Sequence, residues 1–135
     1  MAKSKVSWTG SRTFIGVDST DHSVVMSSND DGIGMKPSDL MLVALGACSS
    51  YDVVGILEKT KSKLEKLEVQ ISAEQESEAP WTYTDIHLKF ILAGQGLDAK
   101  KVEKAIELSE GKYCSVAATL KGKAKITTDF VIEEN

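Results

Sequence analysis

At 135 residues the chain has the usual size of one domain, and 41% hydrophobic with 27% charged residues is a globular rather than a disordered composition. The net charge of −4 supplies no global basic field for nucleic acid or an anionic membrane. The longest unbroken apolar run, Leu40 to Cys48, is far too short to span a bilayer.

The opening residues Met1 to Lys5 are polar and carry no apolar core of a secretory signal. Val6 to Trp8 reads as a strand, Gly10-Ser11 as a turn, and Phe14 to Val17 as the returning strand. A third strand lies within His22 to Ser28, around the β-branched pair Val24-Val25. Together these predict a small antiparallel meander. Asn29 to Gly34 is a loop by composition.

Pro37 then opens a long helix, with Ser38 or Asp39 available to cap its first amides. From Leu40 to Leu57 the helix is apolar nearly all round. One stripe is Leu40, Val43, Ala44, Ala47, Tyr51, Val54 and Leu57; the other is Met41, Leu45 and Val53. A helix of this kind must be covered on most sides, and a second copy of the chain is the simplest cover. The polar stretch Glu58 to Lys66 ends it.

Leu67, Val69, Ile71 and Ala73 alternate with polar residues, as do Ile86, Leu88, Phe90 and Leu92, giving two half-buried strands around the acidic loop Glu74 to Pro80. Asp98 can cap a helix whose apolar face is Val102, Ala105, Ile106 and Ser109, with Gly111 at its end. Cys114 to Leu120 reads as a short helix, and Ala124, Ile126 and Thr128 as one face of a final strand. The alternating Lys121, Lys123 and Lys125 fit the solvated face of that strand better than a phosphate site. The order predicts an α+β protein with mostly antiparallel sheets in a single domain, residues 1–135.

The only cysteines are Cys48, amid the small residues of Ala44-Leu45-Gly46-Ala47-Cys48-Ser49-Ser50, and Cys114, at a helix start whose free amides favour a thiolate. Two cysteines in a chain without a leader point to the cytoplasm, where thiols stay reduced. On pattern alone, small buried hydrophobes are the ordinary role of such residues.

The stretch Pro37 through Cys48, the interval to Cys114, the segment Tyr113-Cys114-Ser115-Val116 through Thr119-Leu120, and the opening Trp8-x-Gly10 together resemble the OsmC/Ohr family, the osmotically inducible and organic hydroperoxide resistance proteins. The resemblance covers nearly the whole chain. It implies an OsmC-like fold, an intertwined homodimer, and thiol-dependent reduction of organic hydroperoxides. Cys48 takes the attacking role and Cys114 the resolving one. An external dithiol is the reductant, and no cofactor or metal is required.

The resemblance further implies an arginine from the N-terminal hairpin that activates the thiol, held by a carboxylate near the start of the long helix. Arg12, the chain's only arginine, and Asp39 stand nearest to those roles. Members with strong peroxidase character carry Glu directly after the proline, where this chain has Ser38. Arg12 as a solvated turn residue and Asp39 as an N-cap are the competing assignments. Asp52, four residues after Cys48, would oppose a thiolate if it faced it. Tyr51, Met41 and Leu45 are either core or the lining for an organic peroxide. Against the enzyme stands a non-enzymatic redox-sensing or ligand-binding protein of the same fold. A metal site using the cysteines with His22 and His87 has no ligand spacing behind it.

Overall fold

The computed structural model describes residues 2–134, so Met1, within the polar opening stretch, and Asn135 lie outside the described residues. The chain divides into two compact units, one reaching Leu42 and the other beginning at Val43.

The first unit is the predicted meander. Strands β1 (Lys5–Gly10), β2 (Thr13–Val17) and β3 (Ser23–Met26) pair antiparallel in sequential order. Gly10 turns the β1–β2 hairpin at φ +114°, a conformation that side chains resist. The following loop is tied back by Ser27, whose buried hydroxyl accepts from the Gly34 amide at 2.9 Å.

Helix α1 (Pro37–Lys59) starts in this unit and runs through the second. At 23 residues it is roughly 35 Å long. Pro37 is itself the first helical residue, so neither Ser38 nor Asp39 is the N-cap. Asp39 instead occupies the third helical position. There its charge suits the helix's positive end, and it lies 3.7 Å from the Lys36 ammonium.

The second unit holds a sheet in the order β4 (Lys63–Gln75), β5 (Tyr83–Gln95), β6 (Lys125–Glu133). The β4–β5 pair is antiparallel, whereas β5 and β6 are parallel, with Phe90 beside Phe130. A parallel pair needs a long crossover. It consists of α2 (Ala99–Leu108), a single π-helical turn (Ser109–Tyr113) and α3 (Ser115–Leu120). Asp98 caps α2 as expected, its carboxylate accepting from the Lys101 amide at 2.9 Å.

Gly111 does not end that helix. It lies inside the π-turn, which closes when the Cys114 amide donates to the Ser109 carbonyl at 2.8 Å. The lysine run is likewise divided. Lys121 ends α3 and pairs with Glu110, Gly122 turns, and only Lys125 belongs to the strand.

The core of this unit joins one face of α1 (Leu45, Val53, Leu57) to the inner face of β5 (Ile86, Leu88, Phe90, Leu92) and to Val102, Ala105 and Ile106 of α2. Gly46 lets α1 approach β4 closely, since a Cβ there would meet Ile71 Cδ1 at 2.7 Å. On the other side of α1, Val43, Ala47 and Tyr51 are exposed.

Phe90 is fully buried at the centre of the sheet. Its replacement by Ala is expected to cost about 3 to 5 kcal/mol of unfolding free energy, read from the urea midpoint.

Candidate active site

The two cysteines are brought near one another. Cys48 sits mid-way along α1 and is half-buried; Cys114, 2% exposed, is the N-cap of α3. Each thiol acts on the ionisation of the other. The π-turn leaves Cys114 in extended conformation, at φ −81° and ψ 107°, while Ser109 at its start bonds to Ser49 and Asp52 of α1.

The start of α3 then adds its free amides. The Ala117 amide donates to Cys114 Sγ at 3.3 Å, and the Val116 amide and the Ser115 hydroxyl lie near enough to Cys48 to lower its pKa. Free amides at a helix start are a favourable setting for a sulfur anion.

The two thiols are driven apart in acidity. For Cys48, partial burial raises the pKa, but the Cys114 thiol, the Val116 amide and the Ser115 hydroxyl outweigh it. The net effect holds Cys48 below the ordinary thiol value, against an opposing push from the Asp52 carboxylate. For Cys114, burial and the neighbouring Cys48 sulfur push the thiol up to about 11, despite the Ala117 amide. The first of the two to ionise is thus Cys48.

Asp52, which the sequence left without a role, is held from the opposite element. The hydroxyl of Ser109, fully buried, donates to Asp52 Oδ2 at 2.7 Å, and its oxygen lies 3.2 Å from Ser49 Oγ. Ser109 and Ser115 were not singled out for the site from sequence. Ser109 reads there as one more small residue on the apolar face of α2, and Ser115 merely follows a cysteine.

Arg12 lies exposed in the turn between β1 and β2. The carboxylate beside it is Asp31. Asp31 takes the Arg12 amide at 2.8 Å, the Ser11 hydroxyl at 2.9 Å and the Thr13 hydroxyl at 3.0 Å, and these bonds hold its carboxyl below the usual range. Asp39 has Lys36 as its ionic neighbour. Each histidine is engaged without a cysteine: His22 Nδ1 with Thr20, and His87 between Thr127 at 2.6 Å and Asp129 at 2.7 Å. Among the described residues no group of three or more His, Cys, Asp or Glu is placed to hold a metal ion.

This geometry can be set beside known proteins. The family model described as "OsmC-like protein" matches residues 28–129, which include both cysteines. The chain belongs to the OsmC-like family. Protein YhfA of Escherichia coli (strain K12) is 35% identical over 130 residues, covering 96% of this chain and 97% of YhfA.

A hypothetical protein from Aquifex aeolicus VF5 superposes with a TM-score of 0.91 at 24% identity, covering 100% of this chain and 98% of that one. The organic hydroperoxide resistance protein OhrB of Bacillus subtilis superposes with a TM-score of 0.65 at 14% identity, covering 97% and 98%. At those identities the two structures show a shared fold. The OsmC-like fold expected from the cysteine segments is therefore the one observed.

The split acidity gives an expected order of labelling. With iodoacetamide at rising pH, Cys48 alkylates first, with a midpoint below that of a free thiol. Cys114 resists until the pH approaches about 11. Peptide mass spectrometry of timed samples reads both, and equal rates at the two cysteines would contradict the assignment.

Proposed function

We propose that the protein is a thiol-dependent peroxidase that reduces organic hydroperoxides, with Cys48 attacking and Cys114 resolving. What carries this reading is the proximity of Cys48, whose pKa is lowered, to Cys114, whose thiol is pushed up to about 11 and takes the Ala117 amide at 3.3 Å. Membership of a family whose fold is shared with an organic hydroperoxide resistance protein supports it.

The Cys48 thiolate attacks the terminal oxygen of ROOH. The O–O bond breaks, Cys48 becomes a sulfenic acid, and the alkoxide takes a proton to leave as ROH. The Cys114 sulfur then attacks the sulfenic sulfur. The S–S bond forms, and the hydroxyl departs with the Cys114 proton as water. An external dithiol reduces the disulfide by exchange and is itself oxidised to a disulfide. The amides of Val116 and Ala117 hold charge on the sulfurs through these steps. Arg12 is assigned the further activating role and Asp39 the role of its partner, on the family resemblance, and the setting is cytoplasmic.

The working form is a homodimer. Over an 18-residue window α1 has a mean hydropathy of 1.8, yet only 28% of that window is buried. Beside it runs an open groove of about 930 Å³ lined by Ala47, Tyr51, Val54, Ile56, Leu108 and Tyr113. A second copy laid on this face would cover Tyr51, which is 82% exposed in the single chain. Sedimentation is expected to give a dimer, and Tyr51→Glu to shift it toward monomer.

A second reading, a redox sensor on the same fold, is favoured by the Asp52 charge acting on Cys48. The enzyme reading predicts that the reduced protein with a dithiol consumes tert-butyl hydroperoxide, and that Cys48→Ser falls to the protein-free background. Cys114→Ser is expected to turn over poorly and to accumulate Cys48 sulfinic acid. A Cys48–Cys114 disulfide that forms without turnover would select the sensor.

A further inference from the structure

Ser109 is joined to both cysteine-bearing segments. Its carbonyl accepts the Cys114 amide at 2.8 Å and so closes the turn that presents Cys114. Its hydroxyl reaches α1 on the residue next to Cys48 and on the one a helical turn beyond, at 3.2 Å from Ser49 Oγ and 2.7 Å from Asp52 Oδ2. Ser109 is fully buried and Ser49 nearly so, while Asp52 is half-buried at the edge of the groove beside α1. A buried hydroxyl bound to a carboxylate is among the stronger neutral-to-charged bonds and is costly to leave unmade.

We propose that Ser109 and Asp52 are positioning residues for the thiol pair: the Ser109 hydroxyl locks the turn carrying Cys114 onto the stretch of α1 carrying Cys48, and it fixes the Asp52 carboxylate one helical turn from Cys48.

Two separable effects follow. The lock sets how often the Cys114 sulfur meets the Cys48 sulfur, and so how readily the pair closes to a disulfide. The fixed carboxylate is a negative charge that works against the Cys48 anion. The charges on the facing segment are engaged elsewhere. Glu110 pairs with Lys121 at 2.9 Å, and the Lys112 ammonium sits over the Tyr113 ring at 5.3 Å. On Cys48, then, Asp52 from its own helix and the Cys114 thiol from the facing turn are the titratable groups that act. The site is thereby held between reactivity and restraint: Asp52 limits the thiolate fraction while its tether keeps the resolving thiol in reach.

The proposal rests on Cys48 and Cys114 closing to a disulfide, one part of the reading above. The test therefore uses no peroxide. Diamide oxidises the reduced protein, the two thiols giving up two electrons and two protons while the azo compound becomes its hydrazine. The disulfide is then equilibrated against dithiothreitol buffers, and alkylation of the reduced protein is followed against pH.

Asp52→Asn keeps an acceptor for Ser109 and removes the charge. Its Cys48 alkylation midpoint is expected to move to lower pH, with roughly threefold faster alkylation at neutral pH and an unchanged disulfide equilibrium. Ser109→Ala is expected to make the disulfide about tenfold easier to reduce. If Ser109→Ala does not fold by circular dichroism, Asp52→Ala, which removes the acceptor from α1, is measured instead and is expected to show the same loosening.

An unchanged alkylation midpoint in Asp52→Asn, or an unchanged disulfide equilibrium in the folded loosening variant, overturns the proposal. A wild-type protein that forms the disulfide with diamide but ignores hydroperoxides overturns only the peroxidase reading.

Discussion

Two thiols act on each other's ionisation only when something holds them close together. Neighbouring positions in one strand or helix do not achieve this for Cys48 and Cys114, which are far apart in sequence. The contact depends on a chain of local decisions. Gly46 lets α1 settle on Ile71 of β4, which fixes Cys48 relative to the sheet. The sheet fixes β6 through its parallel pairing with β5, and the crossover between those strands bonds to α1 through Ser109. Within the crossover, one π-turn reorients the backbone so that α3 begins at the sulfurs. Alteration at any of these points moves the thiol contact, although none touches a sulfur.

The pair is asymmetric for a physical reason. Both sulfurs feel the first amides of α3, yet Cys114 is more deeply buried, whereas at Cys48 the Cys114 thiol, the Val116 amide and the Ser115 hydroxyl lower the pKa. Ionisation is therefore favoured at the sulfur that is more open. Specific donors have outweighed desolvation at Cys48, and desolvation has won at Cys114.

Much of this was visible as pattern. Alternation marked β4 and β5 because each has one buried face, and Asp98 marked the start of α2 because its carboxylate has a free amide to accept. The mostly antiparallel arrangement expected is the one found, in three of four strand pairs among the described residues; the parallel direction of β6 was not visible, because its alternating residues look the same whichever way the neighbour runs. Gly111 misled because a glycine after an apolar face usually ends a helix, whereas here it eases a π-turn. Ser109 was hidden for the opposite reason. Its spacing places it on the buried face of α2, and only the folded chain reveals that a carboxylate from α1 lies opposite. Arg12 and Asp39 came from family likeness, and their immediate neighbours, Asp31 and Lys36, follow from loop and helix geometry that periodicity does not encode.

The parallel β5–β6 pairing has a consequence for biosynthesis. The final strand cannot dock until the whole crossover has been made, and closing so long a connection is a late step in folding. Before that step α1 has been synthesised, with an exposed Cys48 that lacks both the α3 amides and its partner thiol. In that interval it is an ordinary cysteine. Completing the sheet is therefore also the event that brings the start of α3 and Cys114 to Cys48.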